Sequence, residues 1–346
     1  MKRRTFIILF SFLAALGFAQ ADLQPAAIVN LTKSEPITVK QFRTEVERME
    51  KGAGRALTQQ QRHEVLDIMI NEKLAIQAAE RDKITISENE VSQQINQLRA
   101  QMVQALGRQP SDAEFAEAIR KETGMEMQAF RDQARRQLIT QKYLMTKKQS
   151  SFDSIKAPTD AEILNAYNLY KTQFVRPDTV RFSMIQVAYG SDAAAKTKAR
   201  ELADSLSKEI GSSPSKFDEV VLRGQSPSAG YQAGDGGYLP RNPEAVQAAG
   251  QEFVNTAFNL KQGEVSKIID GLRGYQVIKI TETYAMKSLE LDDIFQLGAR
   301  MTVREYIGNT LLQERQMEVL QKATQELVAE LRAGKTFQIF EKNLIW

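Results

Sequence analysis

The chain has no cysteine and a single histidine, His63, in 346 residues. Without cysteine there is no thiolate nucleophile and no thiol ligand, and an oxidising compartment can neither staple nor damage the fold through disulfides. One imidazole cannot make a His-rich zinc site. It is also the sole base open to a Ser–His–Asp arrangement, and it lies in QQQRHEVLDIMINEKLAIQAAE. There Val65, Leu66, Met69, Ile70, Leu74 and Ile76 recur at helical spacing. His63 near the first turn of such a helix reads as a polar surface residue. P-loop, strand–GxGxxG–helix and GxSxG patterns are absent too. Neither a metal nor a cofactor nor a bound nucleotide is expected.

Net charge is equally scarce. The 46 Lys and Arg outnumber the 43 Asp and Glu by three, and three of those cations are Lys2, Arg3 and Arg4. The remainder of the chain is balanced, which argues against a nucleic-acid partner. Those basic residues precede an apolar run from Phe6 to Phe18 and then Ala19-Gln20-Ala21. A basic start, a short apolar stretch and small residues before a cut describe a cleavable secretory signal over residues 1–21. The run falls short of the roughly 20 residues of a membrane span, so no stable membrane anchor is expected after cleavage. With no cysteine following, a lipid anchor at that point is excluded. Export from the cytoplasm follows.

What the chain has in quantity is helical periodicity. Residues 26–42 read as two short strands and a helix start, and from there to about 150 the pattern is helical. Thr38/Gln41, Thr58/Gln61, Ser87/Glu90 and Ser111/Glu114 have capping-box spacing. Pro158-Thr159-Asp160-Ala161-Glu162 opens another helix. After Pro177 the style changes to the strand TVRFSMIQVAY, a Lys/Ala-rich helix, a short helix around KFDEVVL, a Gly-rich loop SPSAGYQAGDGGYLPRNP, the helix EFVNTAFNL and the strand GYQVIKITETY. The tail returns to a long amphipathic helix and a strand candidate at Phe337 and Ile339. The expected class is α+β. The layout is a signal (1–21), a helical N-terminal module (22–177), a mixed domain (178–284) and a C-terminal helix and strand (285–346) that pack on the N-terminal module. Eight methionines, Met49, Met69, Met102, Met125, Met127, Met145, Met301 and Met317, lie in the helical flanks, where adaptable thioethers suit varied apolar partners.

In GYQVIKI, parity puts Gln276 on the same side as Ile278 and Ile280, an amide in an aliphatic row. Several pieces share a family-like order: Val180 to Val187, Gly234-Asp235 with Gly237-Tyr238, Glu252-Phe253 through Leu260, Lys261, Gly263 to Ser266, and Gly274-Tyr275. Together they resemble the parvulin family of peptidyl-prolyl isomerases over about 105 residues, and the whole layout resembles the SurA-type periplasmic chaperones. The resemblance implies an antiparallel sheet flanked by helices. It also implies a histidine in the first strand and another in the last, positions that carry Met184 and Gln276 here. The family's acidic or cysteine position falls on Ser226 or Pro227. No catalytic residue is therefore assigned.

An apolar cup for proline would use Phe253 and Phe258, with Tyr238 nearby, and the expected peptide-binding set is Met184, Tyr238, Phe253, Phe258 and Gln276. Read without the resemblance, at least one of the two phenylalanines is core, Asp235 caps its loop, and Gly234, Gly236 and Gly237 are turn residues. The implied function is a periplasmic chaperone for unfolded exported or outer-membrane proteins, with an apolar groove in its helical core for extended aromatic-rich segments and a parvulin-like domain weak or inactive as an isomerase. An active isomerase with an atypical site, and a structural subunit with one fixed partner, are the rivals.

Overall fold

The computed structural model describes residues 23–226 and 228–344. The signal expected over residues 1–21, and Pro227, thus lie outside the described residues. The chain divides into two compact units, one of residues 1–155 and 314–346 and one of residues 156–313.

The first unit begins with β1 (Pro25–Val29) and β2 (Glu35–Thr38), followed by α1 (Val39–Ala53), α2 (Gln59–Arg81), α3 (Glu88–Leu106), α4 (Asp112–Thr123), α5 (Met127–Lys147) and α6 (Gln149–Asp153). Each of α1 to α4 starts at a Thr or Ser whose oxygen accepts the N–H three residues on, while that residue's side chain returns a bond. At Thr38, the Gln41 N–H reaches Oγ1 at 3.2 Å and Thr38 N–H reaches Gln41 Oε1 at 3.0 Å. Two otherwise orphaned donors are satisfied at each helix start, which is why these elements begin where the spacing places them.

The unit is closed by the far end of the chain. β9 (Phe337–Ile339) pairs antiparallel with β1, giving the sheet order β2-β1-β9. Leu327 and Leu331, from α12 (Val303–Arg332), are buried with Phe42, Leu66, Ile70, Leu74 and Tyr143 in one core. A second core joins Val91 and Ile95 of α3 to Phe115 and Ile119 of α4 and Ala134 of α5. His63 is partly exposed, with Nε2 3.6 Å from Glu341.

The second unit holds α7 (Asp160–Tyr170), β3 (Val175–Arg176), β4 (Thr179–Ala188), α8 (Ala193–Ile210), α9 (Pro214–Arg223), β5 (Gln232–Pro240), α10 (Pro243–Ala249), α11 (Gln251–Asn259), β6 (Ile269–Asp270), β7 (Gly274–Tyr284), β8 (Lys287–Ser288) and the start of α12. Its antiparallel sheet runs β5-β4-β7-β6. The protein is α+β, with helices on both faces of this sheet. One face packs Ile185, Val187, Tyr275 and Val277 on Ala203 and Leu206 of α8 and Phe217 and Val220 of α9. The other packs Phe182, Ile278 and Ile280 on Phe253, Val254 and Ala257 of α11.

This unit is wider than the 178–284 stretch. Of residues 285–346, Leu289, Val303 and Ile307 join Ile163, Tyr167 and Phe174 in a small core here, whereas Leu327, Leu331 and β9 belong to the other unit.

Half of the Gly-rich segment expected to be a loop is instead β5, the edge strand beside β4. Its glycines misled the reading because they serve a bulge at Phe182/Ser183. Gly237 has a φ of 78°, and a Cβ on Gly236 would sit 2.1 Å from the Phe182 ring. Glycine is required there so that the strand can bend closely over an aromatic ring.

Candidate functional site

Register places the site residues. In the β4–β7 ladder Met184 faces Ile278 and Gln186 faces Gln276, so side chains of Phe182, Met184 and Gln186 share a face with Ile280, Ile278 and Gln276. Gln276 does lie in the aliphatic row with Ile278 and Ile280. Its immediate cross-strand partner is Gln186, with Met184 on the diagonal. Gln276 Nε2 donates to Gln186 Oε1 at 3.1 Å. Gln276 Oε1 is buried with no hydrogen-bond partner, pressed against Gly271, where a Cβ would come within 2.4 Å of it. All three side chains, Met184, Gln186 and Gln276, are half-buried on a sheet face otherwise covered by α11.

Of the two phenylalanines, Phe253 is only 3% exposed, with its ring edge-on to Phe182 at 5.3 Å between centroids. It forms the base of the apolar wall. Phe258 is half-buried on the same cluster, and the Arg241 guanidinium lies over its ring at 5.3 Å. Tyr238 does not join this group. It pairs in register with Arg181 on the opposite face, 5.2 Å under that guanidinium and 6.1 Å from the Tyr284 ring. There Arg181 also bridges Asp235 at 2.7 Å and Glu282 at 2.9 Å. The adjacent guanidinium, and then the Gly237 N–H at 3.0 Å, hold the Asp235 carboxyl below its ordinary value. Asp235 thus lies within β5, where it accepts from a local amide at the bulge and serves as an ion-pair partner of Arg181. The Tyr284 hydroxyl, bonded to Glu282, is pushed up to about 12. Ser226 is exposed, its Oγ 3.0 Å from that of Ser228.

The residue missed in the sequence is Gln186. Its signal was available: it lies two residues past Met184 on the same strand, opposite an unexplained amide.

The helical unit has a cavity of about 610 Å³ between α1, α3, α5 and the end of α4. The groove is lined by five glutamines, Gln94, Gln97, Gln101, Gln133 and Gln137, together with an apolar wall of Ile95, Leu98, Met125, Phe130 and Ala134. Ile95 and Ala134, partners in the second core, line the same space, so the amides of α3 and α5 sit beside apolar wall rather than replacing it.

Residues 3–144 match the SurA-like N-terminal domain model and residues 158–294 match the PPIC-type PPIase domain model. The chain joins a SurA-like N-terminal domain to a PPIC-type isomerase domain. Foldase protein PrsA of Clostridium botulinum (strain Loch Maree) is 24% identical over 316 residues, covering 88% of this chain and 80% of its own length. Foldase protein PrsA of Clostridium acetobutylicum is 23% identical over 366 residues, covering 97% and 96%. Among solved structures, one of two structurally related SurA-like chaperones of Campylobacter jejuni is 15% identical, with a TM-score of 0.36 over 92% of this chain and 100% of that one. The PPIC-type domain thus contains the β4–β7 face with its amide pair, and the SurA-like domain contains the glutamine-lined groove. Among the described residues no helix is long and apolar enough to cross a membrane.

Proposed function

We propose that this protein is an exported chaperone that holds unfolded exported or outer-membrane polypeptides, and that its PPIC-type domain grips peptide with little or no isomerase turnover. The single observation that carries the reading is the pair of residues on the β4–β7 face. Rotation about an X–Pro bond faces a barrier of about 18–20 kcal/mol, lowered by polar groups poised for the twisted amide. Where the family has imidazoles this face has Met184 and Gln276, and the protein's one histidine, His63, belongs to the other unit. A thioether and an amide cannot share a proton as paired imidazoles do. The apolar wall remains, so binding outlasts turnover.

The 24%-identical relatives named as foldases support the folding role. Residues 1–21 act as a cleaved secretory signal in this reading, and the site of action is the periplasm. The glutamine-lined groove is a further polypeptide site, since amides donate to and accept from any extended backbone, whatever its sequence.

Two assays on the chain from residue 22 test this. A protease-coupled prolyl-isomerase assay is expected to run at the rate of buffer, and suppression of aggregation is expected for several unrelated unfolded proteins. Clear turnover above buffer would establish an atypical isomerase instead. Capture of a single stoichiometric partner without general suppression would establish a fixed subunit.

A further inference from the structure

We infer that the glutamine-lined groove of the helical unit holds its client as a single extended strand, the side-chain amides of α3 and α5 bonding the client's main chain as a neighbouring β-strand would. The inference rests on the polypeptide-holding role proposed above and names the form in which this groove takes a chain.

The lining is sorted by chemistry. Gln94, Gln97 and Gln101 of α3 and Gln133 and Gln137 of α5 border the space, and no lining residue from either helix is charged. The charges of these helices lie elsewhere, where Arg131 and Arg135 pair with Glu88 and Arg136 pairs with Glu72 of α2. A merely solvated helix face mixes lysine and glutamate with its amides. The charges that do reach the groove come from α1 and α4, as Arg48, Lys51 and Glu122, and are of both signs. None of the five glutamine side chains has a hydrogen-bond partner among the described residues. Each brings two N–H bonds and a carbonyl oxygen to the same space, beside the apolar surfaces of Ile95, Leu98 and Phe130.

Spacing then selects the ligand. Gln97 and Gln101, and again Gln133 and Gln137, lie one helical turn apart, about 6 Å along the axis. On one edge of an extended strand the main-chain N–H and C=O groups recur every second residue, about 6.6 Å. The rotatable bonds of a glutamine side chain absorb that difference. A primary amide can donate to the carbonyl of a residue and accept from its N–H, which is what an adjacent strand supplies. Alternate client side chains then rest on the apolar wall. A helical segment has nothing to offer, because its N–H and C=O groups are already paired within itself. The groove therefore recognises an unpaired main chain, the property that unfolded chains share whatever their sequence.

A structural role and a binding role separate cleanly at these positions. Gln97, Gln101 and Gln137 are exposed, Gln133 is half-buried, and none bonds anything in the fold. Their replacement by alanine, a good helix former, leaves the melting temperature nearly unchanged. Loss of affinity without loss of stability marks a ligand contact.

The probe is a blocked octapeptide of alternating valine and serine, titrated calorimetrically into the full chain from residue 22. It is compared with the same peptide carrying esters in place of its four central amide bonds, which removes N–H donors and keeps the shape. The all-amide peptide is expected to bind at least about tenfold more tightly, the worth of two hydrogen bonds. Gln97→Ala/Gln101→Ala and Gln133→Ala/Gln137→Ala are each expected to lose part of that preference, and the four changes combined to lose all of it. Gln104→Ala, on α3 but outside the groove lining, is expected to keep it. Equal binding of the two peptides by the parent protein, or no binding of the all-amide peptide, overturns the inference. So does retention of the full preference by both pair variants. If the parent suppresses aggregation yet binds the two peptides alike, the amide ladder is wrong and the holding role stands. Absence of suppression in the parent protein removes the holding role itself.

Discussion

Gln77 is a buried amide with every hydrogen-bonding group in use, the reverse of Gln276. It is 0% exposed, accepts from Leu31 N–H at 3.0 Å and Thr32 N–H at 3.1 Å, and donates to the Lys33 carbonyl at 2.9 Å. It ties the β1–β2 turn to α2. Gln77→Leu strands two N–H groups and a carbonyl, and is expected to cost about 2–4 kcal/mol in urea unfolding. Gln276→Leu removes an amide that has only one bond, so its cost should be far smaller or reversed. At Gly236 an added methyl meets the Phe182 ring at 2.1 Å. Gly236→Ala is expected to lower the melting temperature of the PPIC-type domain by displacing Phe182 from Phe253, with a loss of about 1–3 kcal/mol. These residues divide by legibility. Gln276 stands out in its strand by parity alone, whereas Gln186 and Gln77 are placed only by register and burial.

At the scale of elements, the helix starts were the most readable feature. Local spacing carries a capping box because its bonds close within three residues, with no help from the rest of the fold. Ser111→Ala is expected to destabilise α4 by about 1 kcal/mol, measured by thermal unfolding. The same boxes predict acid sensitivity. The Arg108 guanidinium and then the Ser111 N–H lower the Glu114 carboxyl from 4.5 to about 2, and the Ser87 N–H lowers that of Glu90 to about 2. Carboxyls lowered in the folded state bind protons more readily when unfolded. Their contribution is complete above about pH 4.5 and declines as pH falls toward 2. The melting temperature is expected to drop across that window, and Glu114→Gln should flatten the drop. The element least readable was β5. Its glycines signal a loop locally, and only its ladder with β4 and the approach to Phe182 make it a strand.

For the whole molecule, the ends of the chain complete the first unit. Leu327 and Leu331 are buried in its core and β9 extends β1. Ending the chain at Gln313 removes both leucines and the third strand, a loss of well over about 4 kcal/mol against a typical total of about 5–15. The expected result is loss of cooperative unfolding by residues 23–155, followed by circular dichroism in urea and by limited proteolysis. Restoring residues 314–344 as a separate peptide should recover part of the transition, because its contacts are non-covalent.

Taken by itself, the sequence determined the class, the helix starts, the strands β4 and β7 with the helices α8, α9 and α11 between them, and the presence of Met184 and Gln276, not histidine, on those strands. All of these follow from period, cap chemistry or residue identity, which act within a few positions of the chain. Tertiary structure decided that Gln186 is the partner of Gln276, that Tyr238 faces away from the site, that the helical groove is amide-lined and that β5 is a strand. Each depends on register or burial between segments far apart in sequence, where one residue's slip would reverse every face.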